Sequence, residues 1–90
     1  MEENKKQYLS LLSEIIAKEI VVLGPDMAIL KAHSVDGLIV DNNGNVTDIT
    51  GFVADAVKKL VDAYVELSGQ ATKNIIDSIF EKYPQIRRVG

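Results

Sequence analysis

Two helix-length runs of apolar residues, spaced three and four apart, enclose a stretch that alternates instead: GLIVDNNGNVTDITG, residues 37–51. That change of period, from helix to strand and back, limits the chain to helices packed around one small antiparallel element. At the centre stand Asn43 and Gly44. Asn-Gly is the strongest short-range hairpin signal, because a type I′ turn needs positive φ at both central positions. With Asn43-Gly44 in the turn, Asn42 faces Asn45, Val40 faces Thr47 and Leu38 faces Ile49. Those residues share one face, and Ile39, Asp41, Val46 and Asp48 share the other.

The flanking runs read as four helices. Tyr8, Leu9, Leu11, Leu12, Ile15, Ile16, Ile20 and Leu23 make a wide apolar face, with Lys5, Lys6, Ser13, Glu14, Lys18 and Glu19 mostly opposite. Gly24-Pro25-Asp26 then punctuates: Gly24 suits the positive-φ position after a helix, Pro25 the first position of the next, and Asp26 its first turn. The second helix offers Met27, Ile29 and Leu30 for burial. After the hairpin, Thr50 or Gly51 is the expected cap of a third helix. Its stripe is Phe52, Val53, Ala56, Val57, Leu60, Val61, Tyr64 and Leu67. Ser68-Gly69 interrupts it, Ser68 being the expected cap of a fourth helix that turns Ala71, Ile75, Ile76, Ile79, Phe80 and Tyr83 inward. Pro84 ends that helix. The fold class is mainly α with one β-hairpin (α+β), ordered helix-helix-hairpin-helix-helix over about 4–22, 25–34, 38–49, 51–67 and 69–83. Residues 1–90 read as one domain, frayed at about 1–4 and 86–90.

Composition removes several chemistries. Without Cys there is no disulfide, thiolate nucleophile or Cys-based zinc site. A net charge of −3 and a pI near 5.0 argue against a nucleic-acid or anionic-membrane partner. The opening residues MEENKKQ carry no apolar signal core, and the longest apolar run, IVVL, is far below the ~20 residues of a membrane span. A cytoplasmic location is the expectation.

The DNNGNVTD segment resembles a calcium loop only superficially. An EF-hand loop needs oxygen ligands at positions 1, 3 and 5, Gly at 6 and Glu at 12. Anchoring Gly44 at position 6 puts Ile39 at position 1 and Thr50 at position 12, and anchoring Asp41 at position 1 puts Val46 at position 6. Turn chemistry accounts for these residues without a metal. One His, His33, and no Cys leave no nucleophile–base set to assemble; His33 suits a helix C-terminus. Glycine-rich phosphate loops are absent. The VLGP corner has helix-turn-helix length, but the following PDMAILKAHS offers only Lys31 and His33 and no Arg, Asn or Gln for base edges. No catalytic, cofactor or metal residues are expected, and the chain reads as a non-enzyme that needs no cofactor.

The segment IIAKEIVVLGPDMAILKAHSV, about residues 15–35, resembles part of small helical domains at the C-termini of bacterial signalling proteins such as kinases and response regulators. Those carry a helix, an IGPIA-like corner and a second aliphatic helix; Leu23, Gly24, Pro25 and Ala28 stand at the matching positions. The match covers about a quarter of the chain. The resemblance implies a regulatory or scaffolding role and brings no catalytic residues with it.

The expected function is a small non-catalytic interaction or regulatory module. The alternative is a small-ligand-binding domain with an apolar pocket between helices, lined by Met27, Phe52, Tyr64 or Phe80. A homodimer is expected, with another protein as a further possible partner class and neither nucleic acid nor membrane. A two-stranded hairpin is marginal alone and exposes two edges without Pro or Lys. Its cover would be a second copy, met through Leu38, Ile39, Val40, Val46 and Ile49 or through Leu11 and Ile15 of the wide first helix. Asn43, Gly44, Gly24 and Pro25 are the structural turn residues.

Overall fold

A computed structural model describes residues 2–84 and 86, with side chains from residue 5 onward. The order is α1 (Glu2–Leu23), α2 (Pro25–His33), β1 (Leu38–Val40), β2 (Val46–Ile49), α3 (Val53–Ser68) and α4 (Gln70–Glu81). This is the α+β arrangement the periodicity predicts, helix boundaries shifting by one or two residues. The expected fraying at 86–90 falls mainly outside the described residues. Ile86, which is described, is buried, and its N–H donates to the Tyr83 carbonyl.

One contiguous core joins all the elements. α1 contributes Leu11, Leu12, Ile15 and Ile16, and α3 contributes Ala56, Val57, Leu60 and Tyr64. α4 adds Ile76 and Ile79, and the hairpin adds Leu38, Val46 and Ile49. α1 packs against α2, β2, α3 and α4, so it is the central element. α2 turns in only its alanines, Ala28 and Ala32; Met27 and Leu30, expected inside, are exposed. A small inward face lets α2 lie close to the core while its larger aliphatics look out.

The α1–α2 corner is as expected. The Gly24 N–H closes the last turn of α1 on the Ile20 carbonyl at 2.9 Å, and Pro25 opens α2. Gly24 sits at φ 87°, ψ 153°, a region closed to residues with a Cβ. The other helix starts differ from expectation. α3 begins after Phe52, not after Thr50 or Gly51, and α4 begins after Gly69, not Ser68; neither start has a side-chain cap. Phe52 and Leu67, read as part of the α3 stripe, are exposed, as is Ala71 of α4. They lie at the rims of their helices, where the apolar arc outruns the neighbours available.

The hairpin corrects the expected turn. Leu38 pairs with Ile49 as predicted, but Val40 pairs with Val46, not Thr47. Among the described residues none but glycine has positive φ, so Asn43 cannot occupy a type I′ turn. The chain instead makes a longer loop in which Gly44, at φ 90°, follows the turn. Its N–H donates to the Asp41 carbonyl at 3.2 Å, while the Asp41 N–H donates to the Asn45 carbonyl at 2.9 Å. The Asp41 carboxylate accepts the N–H groups of Asn43 and Asn45, both at 2.9 Å. That side-chain turn replaces the two positive-φ positions of the tighter one.

The longer loop leaves Thr47 as an extra residue in β2, a β-bulge. It shifts the pleat, so Val46 and Ile49 both face the core. Val46 therefore does not lie on the mixed face with Ile39 and Asp48. The Val46 N–H donates to Ser13 Oγ of α1 at 2.9 Å. Gly44 is packed as tightly: a Cβ there would lie 2.9 Å from Ile16 Cγ2 and 3.1 Å from Ile20 Cδ1.

Candidate functional site

The residues with obvious chemistry are spent on structure. His33 is exposed in the last turn of α2, and its Nε2 lies 3.0 Å from the Val40 carbonyl, tying the helix end to β1. Asp41 organises its own turn; hydrogen bonds, led by that of the Asn45 N–H, hold its carboxyl below the ordinary value. Asp48 is held low chiefly by Lys5, its ion-pair partner on α1. No cluster of three His, Asp or Glu positioned to hold a metal occurs among the described residues.

An unexpected polar group lies in the core. Glu19, assigned by its charge to the solvated face of α1, is fully buried. Its position explains why: Leu12, Ile15, Ile16 and Glu19 follow the i, i+3, i+4, i+7 pattern of one helix face. Oε1 accepts the Thr72 hydroxyl at 2.9 Å, and Thr72, in the first turn of α4, is itself fully buried. Oε2 has no hydrogen-bond partner. Ion pairs between described residues join Lys5 to Asp48, Lys58 to Asp62 and Lys82 to Glu14, and none of these involves Glu19.

Tyr64 of α3 stands close enough to feel Glu19 electrostatically, but its hydroxyl donates to the Ala28 carbonyl of α2 at 2.7 Å. Burial pushes the Tyr64 phenol well above its ordinary value, and the neighbouring carboxylate adds to that. Ser68, one turn beyond Tyr64 on α3, also has a buried hydroxyl oxygen without a partner.

Two effects compete at Glu19. The first turn of α4 favours negative charge by about 0.3–1 kcal/mol in ordinary helix-dipole geometry. Removing a carboxylate from water costs several kcal/mol when no cation compensates. Burial wins: the Glu19 carboxyl is raised above its ordinary value, the Thr72 hydrogen bond opposing only in part.

The residues expected at an interface divide sharply. Leu11, Ile15, Leu38, Val46 and Ile49 are buried within one chain and cannot meet another copy in this conformation. Ile39 is exposed and Val40 half-buried. The outward-facing large aliphatics concentrate elsewhere. Val21 is 83% exposed and Leu30 63%, with Val22 and Met27 less so, all on the last turn of α1 and on α2. Beside them Pro25, Asp26, Ile29, Leu30, His33 and Asn42 line a shallow depression between α2 and the hairpin loop. Of the residues expected to line a pocket, Tyr64 is fully buried, while Met27 and Phe52 face outward.

The chain matches no protein-family model, no curated protein and no solved structure. No helix among the described residues is long and apolar enough to cross a membrane.

Proposed function

We propose that this chain is a small non-catalytic interaction module that self-associates through the α1–α2 corner. The observation that carries the proposal is the set of aliphatics Val21, Val22, Met27 and Leu30 exposed around Gly24-Pro25. Apolar surface left in water favours association in proportion to the area covered. α2 turns its alanines inward and its larger side chains outward, as a helix shared between two cores does. The likeness of residues 15–35 to corners of bacterial signalling domains favours a regulatory use of the same surface.

Light scattering coupled to gel filtration at micromolar concentration tests it. The expected mass is twice the 9.9 kDa of one chain, falling to the single-chain value for Leu30→Ser and Val21→Ser. These changes should alter stability by no more than about 0.5 kcal/mol, since both side chains are mostly in water. A wild-type mass of 9.9 kDa that does not move with concentration would sink self-association.

A further inference from the structure

We propose that Glu19 is a pH-gated latch between α1 and α4: neutral, it holds the last turns of α1 against the first turn of α4, and ionised, it loosens that contact. The argument rests on placement. Glu19 is fully buried, one oxygen is bound to Thr72 and the other has no partner. The groups around it offer no compensating charge. α3 brings Tyr64, whose proton is committed to the Ala28 carbonyl, and α4 brings the neutral Thr72. Lys18 beside it on α1, Lys73 beside Thr72 on α4 and Asp26 at the start of α2 are exposed. Neither lysine is ion-paired with Glu19.

A neutral acid at this point meets the Thr72 hydroxyl without a charge to solvate. A carboxylate there is cut off from bulk solvent and pairs with no lysine among the described residues, and its cheapest escape is outward movement of the helix turn that carries it. Within a single chain that turn has little packing on its outer side, where Val21 is 83% exposed. Burial raises the carboxyl above the ordinary glutamate value, with the Thr72 hydrogen bond acting against it. The folded state therefore holds the proton more tightly than the unfolded state. The stabilising effect is complete below the ordinary glutamate value and is lost as pH rises through the folded one.

The experiment follows the Glu19 side-chain carboxyl by carbon NMR through a pH titration, and amide protection factors across the same range. The midpoint should lie above those of the exposed glutamates. Protection of amides in residues 20–23 and 73–76 should fall through that midpoint in the wild type and stay level in Glu19→Gln. A midpoint at or below the exposed glutamates overturns the latch, whether or not Glu19→Gln folds. So does a fall in protection that Glu19→Gln shares. Residues 20–23 include Val21 and Val22 of the proposed self-association surface, so the reading that separates the latch from dimer dissociation is the protection of residues 73–76 on α4, which lie outside that surface.

Discussion

The two helical pairs of this molecule follow different rules. In α3 and α4 polarity and position largely agree: Leu60, Tyr64, Ile76 and Ile79 are buried, and Lys58, Lys59, Asp62 and Lys73 are in water. In α1 and α2 they diverge. Glu19 is fully buried while Val21, two residues on, is 83% exposed. An amphipathic helix needs only one packed face to be stable. A helix with apolar groups on both sides and a carboxylate inside is shaped by something besides its own core. The C-terminal pair thus follows ordinary amphipathic packing, and the departures from it lie in the N-terminal pair.

The largest test of that division removes equal volume from each half. Leu12 of α1 and Leu60 of α3 are both fully buried. Leu12→Ala and Leu60→Ala should each cost about 2–5 kcal/mol in urea unfolding. If Leu12→Ala cost less than 1 kcal/mol, roughly the scale of a surface change, α1 would not be a core helix and the comparison would fail.

The glycine turns discriminate more finely. Gly24 and Gly44 both have positive φ, but a Cβ at Gly24 meets nothing within 4 Å while one at Gly44 meets Ile16 and Ile20. Gly24→Ala should cost about 1–3 kcal/mol, from backbone strain alone. Gly44→Ala should add about 1–3 kcal/mol for overpacking against α1. Equal thermal shifts for the two variants would mean that the loop is not seated on α1.

Tyr64→Phe cuts the hydrogen bond that ties α3 to the Ala28 carbonyl of α2. The expected loss is about 1 kcal/mol, with the fold retained by far-ultraviolet dichroism. The smallest effect lies at the hairpin loop. Asp41 and Asp48 both titrate below their ordinary values in the folded chain. Their contribution is present above the unfolded value and lost as pH falls through the folded one. Melting temperature should therefore drop on the acid side, and Asp41→Asn should lower it slightly at neutral pH and shrink that drop.

Much of the architecture is legible in the sequence. The three-and-four spacing placed all four helices, and Gly24-Pro25 marked its corner because few conformations accept that pair. The turn was misread for a local reason. Asn-Gly does favour type I′, but Asp41 can bond its own backbone two and four residues ahead, and Ile16 and Ile20 press on Gly44 from α1. Neither pull shows in the dipeptide. The bulge followed from that loop and moved Val46 into the core, and with it a residue expected at the dimer interface. Glu19 was different, because its signal was present. It continues the spacing of Leu12, Ile15 and Ile16, and only the charge of its side chain argued it outward.

The central position of α1 also sets an order of assembly. Its side chains bond partners far along the chain: Ser13 with Val46, 33 residues on, Glu19 with Thr72, 53 residues on, and Glu14 with Tyr83, 69 residues on. Each contact closes a long loop before any local reward offsets its entropy. During synthesis α1 is complete well before α4 exists, so although α2 can pack on it at once, Glu19 waits without Thr72 while most of the chain is made. Helix propensity can form α1 early, but only the last helix can finish it.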